Sequence, residues 1–218
     1  MRRQPIGFCR SGLTSPTQRC AGWSLVEMSI VLAVGLVVAA FAKLALQPTL
    51  MNTQMDQAYN LTMGIMRQSR QRAIDERKIY VVSFASPNVI KLLRQDGGSP
   101  RPAPVQVNSW FLLSNIQFLN VAGIPNTAAT SPDGFGTGGR AIDFSINVGG
   151  GGGTAIYFQP DGSARDSIGS VNNGILYLAR ANDLYSSRAI TLFGLSGRVR
   201  GWRLARNNAS GLPVWQQQ

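Results

Sequence analysis

An apolar run from Met28 to Leu46, interrupted only by Ser29 and Lys43, constrains this chain more than any other feature. At ~1.5 Å per residue, a helix of that length covers roughly the ~30 Å hydrocarbon core of a bilayer. Pro48 follows, and a kink or interruption is expected there because its ring removes a helical hydrogen bond. Residues 1–22 are polar and rich in Gly, Ser and Pro, with Arg2, Arg3, Arg10 and Arg19 and no acid. A basic segment beside a span stays on the cytoplasmic side. Glu27 sits at the mouth of the apolar run, where a carboxylate is expensive to bury and by default functional. Two blander readings stand beside that one. The segment could be an ordinary signal anchor with an interfacial acid. It could also be a secretory signal, which fits less well because its apolar core should be shorter and end in a small-x-small site.

Charge and residue inventory narrow the chemistry. The chain has 218 residues, 21 Lys+Arg, 10 Asp+Glu and no His, for a formal net charge of +11. That length suits one ordinary domain plus an anchor. Without His the commonest general base and metal ligand are missing. Cys9 and Cys20 are the only cysteines, and both fall in the basic segment 1–22, so no disulfide, thiolate metal site or Cys nucleophile is expected in the rest. No cofactor and no enzymatic activity are expected. From Ala179 onward six arginines stand against one acid, Asp183. Such a cluster suits an anionic partner, although basic surface is usually plain solvation.

The reading along the chain is α+β. Residues 23–48 form the membrane and assembly helix, and 49–78 an amphipathic continuation. There Met51, Met55, Tyr59, Met63 and Met66 make a stripe suited to packing on a sheet. Residues 79–218 form a β-rich head of about seven or eight short strands. Expected strands are 79–85, 89–93, a long or broken one over 110–121, 141–148, 154–159, 174–179, 189–195 and 198–204. Grouped strands after a helix argue for an antiparallel sheet. Gln95–Pro104 and Gly123–Arg140 read as long loops, candidates for mobility or for contacts with neighbours. Gly149–Gly153 lacks the Lys-Ser/Thr and helix start of a phosphate loop, and reads as a hairpin connection. Asp161-Gly162 is a turn, and Asp161, Asp166 and Asp183 show no convergent spacing for acid/base work.

The junction Gly22-Trp23-Ser24-Leu25-Val26-Glu27 resembles the class III signal of type IV prepilins and type II secretion pseudopilins, with Trp23 in place of the usual Phe. The resemblance implies cleavage after Gly22 by a prepilin peptidase, N-methylation of Trp23, and pairing of Glu27 with the N-terminal amine of a neighbouring subunit. It implies a single pass in a bacterial inner membrane, a periplasmic pilin-like head, and other pilin or pseudopilin subunits as partners. Phe158-Gln159-Pro160-Asp161-Gly162 and Ser196-Gly197-Arg198-Val199-Arg200 are similar to segments of the GspH/FimT group of minor pilins.

On a strand, residues two apart share a face, so Arg198, Arg200, Trp202, Leu204 and Arg206 are expected to point one way and Val199 and Arg203 the other. Guanidiniums grip phosphates and an indole stacks on bases, which makes a nucleic-acid patch of Arg198, Arg200, Trp202, Arg203 and Arg206. In FimT-like proteins this segment is associated with DNA binding. Two alternatives stay open: arginines that only keep an edge strand soluble, and a Trp202 that is simply core. Two machines also stay open, a type IV pilus that takes up DNA and a type II secretion system whose GspH-type subunit binds none.

Overall fold

A computed structural model describes residues 24–97, 102–113, 115–147 and 151–218. The chain divides into two compact units, one ending at Gln47 and the other spanning Pro48–Gln218. The expected cleavage point, Gly22 and Trp23, lies outside the described residues.

In the first unit the described chain enters α1 (Leu25–Glu76). Its stretch Leu25–Lys43 has a mean hydropathy of 2.5 and is unburied throughout, so by length and composition it can cross a membrane. Ser24 caps the start: its Oγ accepts from the Val26 N–H at 3.4 Å and its carbonyl from the Met28 N–H at 3.1 Å. Glu27 follows in the first turn, at the spacing of a capping box and at the end of the helix dipole that favours an anion. The conformation on both sides of Pro48 is helical, where an interruption was expected. Proline removes one hydrogen bond, and good helix formers such as Leu46, Leu50 and Met51 flank it.

In the second unit α1 buries Met55, Tyr59, Met63 and Met66, while Met51 stays exposed. The stripe is core packing. Thr62 and Ser69 are also buried, and each hydroxyl donates to the carbonyl one turn back, Ala58 at 2.8 Å and Ile65 at 2.6 Å. Arg77 adopts φ 52°, the left-handed turn that ends the helix and redirects the chain into β1.

Ten strands follow among the described residues: β1 (Ile79–Ala85), β2 (Val89–Gln95), β3 (Val105–Phe111), β4 (Ile142–Phe144), β5 (Ala155–Phe158), β6 (Ala164–Arg165), β7 (Gly174–Arg180), β8 (Asp183–Phe193), β9 (Arg198–Arg206) and β10 (Pro213–Gln217). They make two five-stranded sheets, ordered β3-β2-β1-β5-β6 and β10-β9-β8-β7-β4. All neighbours pair antiparallel. The fold is thus α+β with two antiparallel sheets where one was expected. One core cluster takes Met66 from α1, Val82 and Ile90 from the first sheet, and Phe144, Leu178 and Leu192 from the second. Phe84 bridges the sheets, with its ring centroid 5.6 Å from Phe144 and 5.7 Å from Phe118. Burying each such side chain contributes roughly 1.5–3 kcal/mol. A second cluster lies apart from the first: Ile175, Tyr177, Ala189 and Leu204 pack with Ile124 from the segment 123–140.

Several strands depart from their expected bounds. β3 occupies 105–111 where 110–121 was expected: Val105 and Val107 alternate with Gln106 and Asn108, but all four are exposed, so this part of the strand is held by pairing with β2 and not by burial. β8 begins six residues before the expected 189, because Ser186, Ser187 and Arg188 are buried polar residues that an apolar pattern misses. β4 has three residues and stops before Ser145, whose φ of 63° breaks the extended conformation. β6 and β10 were not expected; β6 has two residues, and β10 is a short strand held by its register on β9.

Candidate functional site

The two segments that carried the GspH/FimT resemblance meet in space. In the Phe158–Gly162 turn, the Gly162 N–H donates to the Gln159 carbonyl at 2.9 Å, and the Ser163 N–H donates to Asp161 Oδ1 at 2.8 Å. Hydrogen bonding from Ser163 holds the Asp161 carboxyl below its ordinary value. Arg70 of α1 donates from Nε to the Gly162 carbonyl at 3.0 Å. The β8–β9 turn packs against the same pair. A β-carbon at Gly197 would lie 2.1 Å from the Gly162 carbonyl oxygen and 2.7 Å from Arg70 Nε, and its φ is 61°. Only glycine fits this position. Asp161-Gly162 is therefore a structural turn, as its sequence suggested.

β9 alternates as the two-residue period requires. Val199 belongs to the core cluster that contains α1, and Trp202 and Leu204 belong to the second cluster. The face expected to be open is instead covered by segment 123–140, which read as a long loop. Arg200 Nη1 donates to Asp133 Oδ1 at 2.8 Å. Asp133 Oδ2 accepts from Thr191 Oγ1 at 2.6 Å, and Thr191 Oγ1 in turn accepts from Trp202 Nε1 at 3.1 Å. Further along the same cover, Trp215 Nε1 donates to the Pro125 carbonyl at 2.8 Å. Arg200 thus has an anion already, and Trp202 has both its N–H and its ring engaged.

The other three arginines are exposed, and among the described residues none of them pairs with a carboxylate. Arg198 lies at the start of β9, with its guanidinium 4.9 Å from the centroid of the Phe193 ring. Arg203 and Arg206 lie toward the other end and line one open cavity of about 340 Å³ with Tyr185 and Gln216. The strand rises ~3.3 Å per residue, so Arg198 and Arg206 are roughly 26 Å apart along β9. The five residues read as one patch therefore divide in two: Arg198 and Arg200, whose guanidiniums share the Phe193 ring at 4.9 and 5.1 Å, with Arg200 neutralised by Asp133 and Trp202 packed beside it under segment 123–140; and a cavity with Arg203 and Arg206.

Arg203 is opposite Arg188 in the register of β8 and β9. Arg188 is buried, and it donates from Nη2 to Asp56 Oδ1 at 2.8 Å and from Nη1 to the Ser186 and Ser187 carbonyls. Its charge is compensated, while that of Arg203 is not. A second basic hollow, about 490 Å³, lies where the Gly197 turn meets α1 and is lined by Arg67, Arg70, Gln71 and Ser196–Val199.

Sequence reasoning did not anticipate Asp133, Thr191 or Tyr185. Asp133 sits in a Pro-Asp-Gly turn, a composition that reads as surface loop and gives no sign of a distant arginine. Tyr185 was hidden because β8 was expected to begin after it.

No family model matches the chain, and neither a curated protein nor a solved structure matches it.

Proposed function

We propose that this chain is a minor pilin or pseudopilin: anchored in the inner membrane by Leu25–Lys43, cut after Gly22, and drawn into a filament through Glu27. The observation that carries this reading is the junction itself. Gly22-Trp23-Ser24-Leu25-Val26-Glu27 stands directly before an unburied helix of spanning length, with the carboxylate in the first helical turn. In a low-dielectric bundle that carboxylate needs a cationic partner, and the amine freed by cleavage at Trp23 is one. The α+β head, with an amphipathic helix buried against antiparallel strands, supports the same reading. The chain acts as a structural subunit and carries out no catalysis.

The test is Glu27→Ala in a host with a prepilin peptidase. The variant should reach the membrane and be processed, yet fail to enter filaments. Normal incorporation would overturn the proposal.

The arginines left without carboxylate partners, Arg198, Arg203 and Arg206, support non-specific DNA binding by the filament subunit, with phosphate contacts that weaken with salt. A second reading has a specific observation in its favour: Asp133 neutralises Arg200, and Trp202 is packed. A subunit of a type II secretion system that binds no DNA would tolerate both. Retention of labelled duplex DNA by the full chain in detergent separates the two. Loss of binding in Arg198→Gln/Arg203→Gln/Arg206→Gln is expected of the DNA-uptake subunit.

A further inference from the structure

Tyr185 is 41% exposed and shares its cavity with Arg203, Arg206 and Gln216. An exposed aromatic alone is ordinary. This one sits with two guanidiniums whose charge nothing offsets among the described residues. Both nearby acids are engaged elsewhere. Asp183 accepts from Arg180 Nη2 at 2.6 Å and from the Ser186 N–H at 3.2 Å, and Asp56 holds Arg188. A cavity lined by two arginines, a partly exposed tyrosine and an amide suits a nucleotide: phosphate to the guanidiniums, base to the ring.

We infer that the cavity of Tyr185, Arg203, Arg206 and Gln216 is a single-strand nucleic-acid site, in which a base stacks on Tyr185 while Arg203 and Arg206 hold the flanking phosphates. The inference rests on the DNA-binding form of the proposed function. It replaces Trp202 as the stacking aromatic, because the Trp202 indole is packed in the second cluster and its N–H is bonded to Thr191. It also sets the strandedness. In a duplex both faces of every interior base are covered by neighbours, so Tyr185 finds a partner only at the ends. A single strand offers each base's face, and it does so without sequence preference.

The experiment uses the full chain in detergent micelles, with a labelled oligothymidylate of roughly 12 nucleotides and a duplex of equal length. Tyr185→Ala should weaken oligothymidylate binding roughly fivefold or more, while Tyr185→Phe stays within about twofold and duplex binding moves less than about twofold for either. Arg203→Gln/Arg206→Gln should weaken both ligands and flatten the single-strand salt dependence by about 1.4 in the slope of log K against log salt. Matched thermal unfolding of the exposed-site variants keeps folding out of the comparison. Oligothymidylate binding that ignores Tyr185→Ala overturns the stacking role. Binding that ignores the arginine pair but falls with Arg198→Gln overturns the whole site and leaves DNA binding at the opposite end of β9. Absence of any binding by the unaltered chain overturns both.

Discussion

Gly201 of β9 lies directly beneath the phenol of Tyr59 of α1: a β-carbon at 201 would sit 1.5 Å from Tyr59 Oη and 2.7 Å from Met63 Sδ. The buried helix therefore rests on the one residue type that leaves room for it. Burial raises the Tyr59 pKa above its ordinary value, with nearby Arg67 and Arg188 pulling the other way. Gly201→Ala should destabilise the fold by about 2 kcal/mol or more, in the range of overpacked cores. Urea unfolding should show a lower midpoint at an unchanged slope. A midpoint like that of the unaltered chain would mean that α1 does not rest there.

Arg188 and Asp56 tie β8 to α1 by a different kind of force. The Arg188 side chain is 2% exposed and Asp56 47% exposed. Asp56→Ala leaves a buried guanidinium with backbone carbonyls only. The expected loss is about 1–3 kcal/mol, below that for a fully buried pair because water screens the Asp56 side. Arg188→Ala removes packing as well and should cost more. Paired denaturant melts of the two variants and the double variant give the coupling.

Asp133 joins segment 123–140 to β8 and β9 through Thr191 and Arg200. Asp133→Ala removes a charge-assisted hydrogen bond and should destabilise by about 1.5–3 kcal/mol. Amide exchange should quicken in 126–138 while β1 and β2 stay protected. If the chain binds nucleic acid through its arginines, freeing Arg200 should raise affinity at low salt. A drop in affinity would place Asp133 on the side of binding.

The Asp161 turn carries a pH dependence of known sign. Hydrogen bonding from Ser163, with help from Arg165, lowers the folded-state pKa. Its contribution is therefore fully present above the unfolded value, about 3.9, and is lost as pH falls through the lower folded value. The protection of the Gly162 and Ser163 amides, measured against their intrinsic exchange rates, should fall below about pH 4. Asp161→Asn should remove that pH dependence, and an unchanged profile in the variant would assign it to another group.

How much was legible in the sequence depended on what held each element. The apolar run was legible from its length and composition, and the α+β order and the stripe from Met55 to Met66 from burial written in residue type, while Met51 stays exposed. β8 was cut short because Ser186, Ser187 and Arg188 are buried through hydrogen bonds and an ion pair, which leave no apolar trace. β10 is short and opens on a proline, and it is held by its pairing with β9 and by Trp215 on the second cluster. The alternation along β9 was foreseen, but not its cover. Asp133 is 67 residues from Arg200, and no local pattern announces a contact at that separation. The demand for glycine at 197 and 201 was not legible. Its reasons, the Gly162 carbonyl and the Tyr59 ring, lie on other elements.

Processing as a prepilin, on which the proposed function rests, is read from the mass of the N-terminus. The protein should be produced in bacteria with and without an active prepilin peptidase, extracted from membranes and measured intact. The account predicts a mature chain beginning at N-methylated Trp23 when the enzyme is active, and the uncut chain when it is not. A leader retained in both strains, or a cut beyond the apolar run, would contradict it.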